Sequence, residues 1–397
     1  MSVRKRKWIT RKGEAKEAWI VDYSVNGSRH IETFERKKDA DAYEAKVTVD
    51  VGKGIHIAPS KSVGVAEAGE LWIKACEGDE LERASIDAYR QHLRLHIKPY
   101  LGHYKLSQLS VPLVRKFKDD LRADKRSPAM VKRVIGSLGA LLGDALERGL
   151  VATNVVRAMK RERKRGKDRQ AERRQRGKLK VGVDIPTPDE IKRLIAHLPE
   201  FGLKYSPQDK WRPLLLTAIF TGLRASELRG LRWDDVDLRH AKLHVRQRAD
   251  RYQQIGKPKS ESVERVIPLP PMIVSTLREW KLRCPKGDHG LVFPTSAGEI
   301  EYHSNIVHRG LGPAQIAAKV VTKDGKPKYP GLHSLRHFYA SWCINREKDG
   351  GLELPLKMVQ ERLGHSTLAM TADTYGHLFP NGDDGTELAK AERFFLA

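Results

Sequence analysis

Five short stretches of this 397-residue chain hold residue types that could act together on a phosphate ester. In Thr221-Gly222-Leu223-Arg224-Ala225-Ser226-Glu227-Leu228, Glu227 follows Arg224 by three residues, so its carboxylate can reach back along one helical face. Pro258-Lys259-Ser260 lies ahead of Arg265-Val266-Ile267-Pro268-Leu269, with Lys257 two residues before Lys259. His333-Ser334-Leu335-Arg336-His337 sets His333 and Arg336 three apart at a helix start, where both can face one pocket. Leu363-Gly364-His365 leaves an imidazole at a turn, and Thr374-Tyr375-Gly376-His377 supplies a phenol. A phosphodiester resists attack because its charge repels nucleophiles and its leaving alkoxide is strongly basic. Cleaving one without a metal needs cations on the non-bridging oxygens, an acid for the leaving oxygen and a positioned nucleophile. Arginine forks suit the first task, since they bond a phosphate twice. A lysine, protonated up to about pH 10.4, suits the second, and a phenol with a reference pKa near ~10 suits the third once cations ease its ionisation. No acidic cluster of magnesium-binding character accompanies these stretches, so neither a metal nor a cofactor is expected.

In order and surroundings these motifs resemble the active site of tyrosine recombinases of the phage-integrase family. The likeness is specific over residues 187–380, with Leu231-Arg232-Trp233 continuing the first arginine box. It implies that Arg224 and Arg336 clamp the phosphate, with Glu227 as structural support. It further implies that Lys259, on a hairpin turn, protonates the leaving 5′ oxygen, and that His365 hydrogen-bonds the scissile phosphate. Tyr375 is then the nucleophile, forming a 3′-phosphotyrosyl link and freeing a 5′ hydroxyl; His333 is read as its proton-transfer partner, and His337 as support behind it. One ester replaces another, so rejoining needs no ATP. Tyr302, Tyr329 and Tyr339 rival Tyr375 by residue type but lack the surroundings of Thr371 to His377.

Around these residues the chain reads as mainly α with small β elements, in three domains. Residues 1–58 offer strands at Lys7–Thr10, Ala18–Val25 and His30–Phe34, an Asn26-Gly27 hairpin signal and a helix from Lys37 to Val51. This small sheet-plus-helix resembles the arm-binding domain of lambda-type integrases, and the Arg4–Lys7 run with Trp8 points it towards DNA. Residues 63–159 read as a helical core-binding domain of SAM-like type, with helices at Ala66–Cys76, Ser85–Ile97, Pro112–Leu121 and Pro128–Leu150. Residues 160–183 form a basic linker: Lys160 to Lys180 holds 12 Lys or Arg against 3 Asp or Glu, too polar to supply a core. Residues 184–397 read as a mixed α/β catalytic domain with a C-terminal tail. Within it, Thr187 caps a helix with Glu190, and Lys242–Arg248 and Ser262–Pro268 alternate like two strands of a hairpin. Helices are expected at Trp211–Phe220, Pro271–Arg283, Ser304–Leu311, Leu335–Asn345, Leu356–Leu363, Leu368–Tyr375 and Glu387–Phe395.

Composition agrees with a polyanionic partner: 74 Lys plus Arg against 50 Asp plus Glu gives a formal charge of +24. The longest apolar run, Leu214 to Phe220 broken by Thr217, falls far short of the ~20 residues that span a bilayer. The basic start lacks an apolar segment behind it, so no secretory signal is read and a cytoplasmic location is expected. Cys76, Cys284 and Cys343 are widely spaced and odd in number, as reduced thiols would be. The resemblance implies double-stranded DNA as partner, at core and arm-type sites, bound by a homotetramer, and leaves room for a host DNA-bending protein and an excisionase. The leading expectation is therefore an integrase of a phage or mobile element, with a plasmid or chromosome resolvase, a type IB topoisomerase or a catalytically silent DNA-binding regulator as alternatives.

Overall fold

The structure, a computed structural model, describes all residues except 10–14, 26–27, 53–61, 160–177, 203–204, 258–263, 380–385 and 397. The chain forms two compact units, Met1–Arg163 and Lys164–Ala397. The Asn26-Gly27 turn, Lys259 and most of the expected basic linker lie outside the described residues.

The first unit opens with an antiparallel sheet of β1 (Ser2–Ile9), β2 (Ala15–Val25) and β3 (Ser28–Phe34), followed by α1 (Lys37–Gly52). Strand alternation sends Trp19, Val21, Tyr23 and Val25 to one face, where Val3 joins them and Ala40, Tyr43 and Val47 of α1 cover them. The opposite face carries Arg4, Arg6 and Trp8 beside Asp22. The first strand begins at Ser2 rather than at the expected Lys7. Its run of basic residues hid the alternation, because long cationic side chains occupy both faces of an edge strand.

The rest of this unit is a helical bundle with its own core. It contains α2 (Val65–Gly78), α3 (Arg83–His92), α4 (Val111–Ala123) and α5 (Pro128–Glu147). Ser110 and Ser127 cap α4 and α5, accepting from Leu113 N at 3.4 Å and Met130 N at 3.2 Å, and each helix then starts with proline in its first turn. Beyond α3 the helix continues through a π-helical turn, Leu93–Ile97, into Lys98–Leu101. Pro99 explains the widened turn: it has no N–H to give the preceding turn, and its ring would clash with a regular α ladder. Trp72, Leu93, Ile97, Leu101, Phe117 and Leu138 fill the core.

In the second unit, α6 (Pro188–Ala196) starts at the Thr187–Glu190 capping box, with bonds of 3.2 and 2.9 Å. The helix α7 (Trp211–Thr221) is apolar all round and buried; it leads through Gly222 into the short α8 (Ala225–Arg229). Next come β4 (Val236–Asp237), β5 (Lys242–Val245), β6 (Arg248–Ala249), β7 (Ile255–Gly256) and β8 (Arg265–Pro268). β5 pairs directly with β8, as the alternation predicted, but a second small hairpin of β6 and β7 is inserted between them. The helix α9 (Pro271–Arg283) buries Ile273, Leu277 and Trp280, each side chain stabilising the fold by roughly 1.5–3 kcal/mol. A helix from His303 then runs past the expected end at Leu311 to Ala317, crossing Gly312-Pro313 by a π-helical turn at Ile306–Leu311. Last are α10 (His333–Ile344), α11 (Leu356–Leu363), α12 (Leu368–Tyr375) and α13 (Thr386–Leu396). α10 packs on α7, and α11 packs on α10, on α12 and on β8. These contacts bring four of the five sequence stretches to one place.

Candidate active site

The site is built around the C-terminal end of α11. A helix leaves its last carbonyls without intrahelical donors, and its dipole makes that end negative. Here three consecutive carbonyls each accept from a different arginine. Arg362 O takes Arg265 Nε at 2.8 Å, Leu363 O takes Arg336 Nη2 at 2.5 Å, and Gly364 O takes Arg224 Nη2 at 2.9 Å. Arg336 is 2% exposed and spends its other amino group on Gly222 O at 2.6 Å, so it ties the end of α7 to the end of α11.

Two glycines make these approaches fit. Gly222 ends α7 at φ 61°, and a Cβ there would sit 2.4 Å from Cδ1 of Tyr339. Gly364 ends α11 at φ 62°, where a Cβ would meet Nη1 of Arg265 at 2.8 Å. Arg224 occupies the N-cap of α8, and its backbone N–H donates to Glu227 Oε2 at 2.9 Å while Nη1 donates to Oε1 at 2.7 Å. Arg265 comes in from β8 and donates to both oxygens of the same carboxylate, at 3.2 and 2.8 Å. Glu227 is thus a buried anion shared by two guanidinium groups.

Tyr375 closes α12 and is 1% exposed. Its hydroxyl lies 2.7 Å from Nδ1 of His337. His365 sits beside the phenol with its ring parallel, centroids 6.2 Å apart, and is held by Thr371 Oγ1 at 2.9 Å from its Nδ1. His333 stands edge-on to His337, with ring centroids 4.5 Å apart. His377 anchors the segment after the tyrosine by a 2.7 Å bond to Leu179 O.

Burial and the arginines set the charges. Burial pushes Glu227 up, but Arg265 and Arg224 outweigh it and hold the carboxyl down at about 2. Arg336 is pushed down to about 9 by burial and then by Arg224, which still leaves it charged at neutral pH. Burial, followed by neighbouring cations, takes His365 down to about 4 and lowers His333. His337 also falls to about 4, through burial, His333 and Arg336. Tyr375 is pushed up to about 12 by burial, with Arg336 and Arg224 pulling the other way. At neutral pH the site therefore holds permanent arginine charge, neutral imidazoles and a neutral phenol.

The family model for the phage integrase family matches residues 186–381, and that for the phage integrase N-terminal SAM-like domain matches residues 66–122. The chain belongs to the phage integrase family of tyrosine recombinases. These are enzymes that cleave and rejoin DNA. A XerC-like tyrosine recombinase of Caldanaerobacter subterraneus subsp. tengcongensis is 24% identical over 369 residues, covering 87% of this chain and 86% of that protein. In fold the chain is similar to the Tn1549 transposon integrase in complex with a circular intermediate DNA, with a TM-score of 0.62 at 16% identity over 84% of this chain and all of that one. It is likewise similar to a lambda integrase tetramer bound to a Holliday junction, with a TM-score of 0.55 at 15% identity over 91% of this chain and 95% of that one.

Of the residues singled out in this recombinase's sequence, Arg224, Glu227, His333, Arg336, His365 and Tyr375 meet in one cluster. Lys259 lies outside the described residues; the carbonyl of nearby Lys257 accepts from Arg248 Nε at 3.3 Å. The resemblance implies His333 as the tyrosine's proton-transfer partner, whereas the imidazole on the hydroxyl is His337, one helical turn further along α10. Arg265, to which the sequence motifs assign no role, joins this cluster from β8. Its signal was the alternation of β8, which puts Arg265 on the same face as the fully buried Ile267, while Val266 between them is exposed. Among the described residues no group of three His, Cys, Asp or Glu could hold a metal ion, and no helix is long and apolar enough to cross a membrane.

Proposed function

We propose that this tyrosine recombinase is an integrase of a phage or mobile element, which exchanges strands between two DNA duplexes through a 3′-phosphotyrosyl intermediate on Tyr375. The observation that carries this reading is the cluster of three arginines on three successive carbonyls beside a buried tyrosine. Charge held rigidly before the phosphate arrives costs no reorganisation when the pentavalent transition state forms. Arg224 and Arg336 would bond the non-bridging oxygens, with Glu227 orienting Arg224 and His365 adding a bond to the phosphate. Lys259 would protonate the leaving 5′ oxygen. His333 stays a proton-transfer group, one imidazole removed from the nucleophile.

The domain roles follow from the same reading. The helical bundle would grip core-type DNA, the basic linker of residues 160–183 would bridge phosphates, and the sheet of residues 1–58 would hold an arm-type site. That sheet favours an integrase over a resolvase built of core-binding and catalytic domains alone. A homotetramer on two duplexes is the working assembly, with a host DNA-bending protein and an excisionase as further partners. The likeness to a transposon integrase on DNA and to a lambda integrase tetramer supports the DNA partner and the tetramer.

The test is recombination between two plasmid-borne attachment sites taken from the DNA flanking the gene, run in EDTA without ATP. Recombinant product from the wild-type protein and none from Tyr375→Phe is expected. A strict need for a divalent metal, or plasmid relaxation without exchange, would overturn the proposal. Lys259→Ala should cleave ordinary DNA slowly and recover on a 5′-phosphorothiolate, whose leaving group needs no acid; no recovery removes Lys259 from that role.

A further inference from the structure

We infer that His337 is the general base of this recombinase, taking the phenolic proton of Tyr375 as it attacks and returning it on rejoining. The inference rests on Tyr375 being the nucleophile, as proposed above, and goes beyond it by assigning a residue that the motif reading left in support. Three imidazoles lie near the tyrosine, and geometry separates them. His337 alone among them has a ring nitrogen within hydrogen-bond distance of the hydroxyl, 2.7 Å from Nδ1. His365 presents its ring parallel to the phenol and commits its Nδ1 to Thr371 Oγ1. His333 touches the edge of His337 rather than the tyrosine. The position is fixed by α10, where His337 follows the buried Arg336 and lies one turn beyond His333.

The step balances without any further reactant. Oη of Tyr375 forms a bond to phosphorus, its proton passes to Nδ1 of His337, and the P–O5′ bond breaks with a proton arriving from the acid. Rejoining reverses each transfer. In the resting site the proton stays on oxygen, because the phenol is pushed up to about 12 and the imidazole down to about 4. Transfer becomes downhill only as the Oη–P bond forms and the oxygen loses its basicity, which makes this concerted general-base catalysis. The lowered imidazole is itself useful, since a neutral ring has one nitrogen free to accept at working pH, and general-base action requires that nitrogen to be Nδ1. The charged and titratable groups around it are His333 and Arg336 on its own helix, Tyr375 from α12 on its Nδ1, and Asp184, which acts to raise it.

The experiment is single-turnover cleavage of a nicked suicide duplex by the full chain, comparing wild type, His337→Ala and His337→Asn. Each is also made with 3,5-difluorotyrosine at position 375, whose phenol is more acidic, and DNA binding is measured for every protein. His337→Ala and His337→Asn should bind DNA normally and cleave about a hundredfold slower, the usual weight of a general base. Their rates should rise with pH as hydroxide takes over the proton, and difluorotyrosine should recover most of the loss. A loss that neither difluorotyrosine nor high pH recovers would make His337 a packing residue, and a rate within about threefold of wild type would give it no catalytic role. If wild type forms no adduct at Tyr375, the nucleophile assignment and this inference fall together. With that adduct present, either of the two contrary results above overturns the inference alone.

Discussion

The same arrangement, one carboxylate shared by two arginines, occurs in both units of the molecule. In the N-terminal sheet, Asp22 meets Arg4 at 3.2 Å and Arg29 Nε at 2.9 Å, and the two arginine side chains stay 59% and 62% exposed. In the catalytic unit, Glu227 meets Arg224 and Arg265, with Glu227 3% and Arg265 5% exposed. Exposure changes what the pair does. On the sheet, water and salt screen the attraction, and either arginine can exchange Asp22 for a phosphate at small cost. Inside, Glu227 and Arg265 have no solvent to fall back on, so the carboxylate fixes Arg265 and orients Arg224, whose side chain is 34% exposed. The first arrangement suits adaptable DNA contact and the second suits a preset transition-state pocket.

Breaking the buried member should have the largest effect. Glu227→Ala leaves Arg265 charged and buried without its anion, which should destabilise the catalytic unit by about 3–5 kcal/mol in urea denaturation. A loss below ~1 kcal/mol, the range of exposed pairs, would erase the contrast between the two sites. Arg265→Gln comes next. Cleavage should fall up to about a hundredfold, the scale for one preorganised donor, because Glu227 without Arg265 no longer holds Arg224 in place. Arg265→Lys should recover little, since one ammonium cannot reach both Glu227 oxygens and Arg362 O together; full recovery by lysine would show that charge alone matters.

Acid should separate the two regions by a smaller amount. Glu227 is depressed to about 2 in the folded state, so its stabilisation is complete above its ordinary carboxylate range and lost as pH falls from about 4.5 towards 2. His337 and His365 are depressed to about 4, so the unfolded chain takes up their protons first and stability declines as pH falls from 6.5 to 4. A two-step acid decline of the catalytic unit in circular dichroism is expected, and His365→Asn should shallow its upper step. A flat response between pH 6.5 and 4 would contradict the neutral imidazoles. The exposed pair should give the smallest change. Asp22→Asn should leave the unfolding midpoint where it is and steepen the salt dependence of DNA binding, because Arg4 and Arg29 then both turn to phosphates. An unchanged salt slope would remove that face of the sheet from the DNA interface.

Sequence patterns told of this architecture wherever the governing interaction is local. The Thr187–Glu190 box, the Gly364 termination and the Arg224–Glu227 spacing are set by neighbours within four residues, and all stand where the sequence pattern places them. The helices α11 and α12 match to the residue. What escaped was non-local. Arg265 reaches Glu227 across 38 positions, and Arg336 reaches Gly222 across 114. No spacing rule shows which carbonyl at the end of α11 meets which arginine. His333 and His337 share a helical face, so only the arrival of Tyr375 from another helix decides which of them it meets. The helices expected to end at Ile97 and Leu311 instead run on through π-helical turns, because Pro99 and Pro313 are each absorbed by widening one turn.

If a preset arginine pocket activates Tyr375, mapping the covalent adduct will show it. The wild-type protein would be trapped on a nicked suicide duplex carrying the attachment site, digested, and the DNA-linked peptide sequenced. One linked peptide, containing Tyr375, is expected, and it should be lost in Tyr375→Phe with DNA binding intact. An adduct on a peptide bearing Tyr302, Tyr329 or Tyr339, or one that persists in Tyr375→Phe, would contradict it.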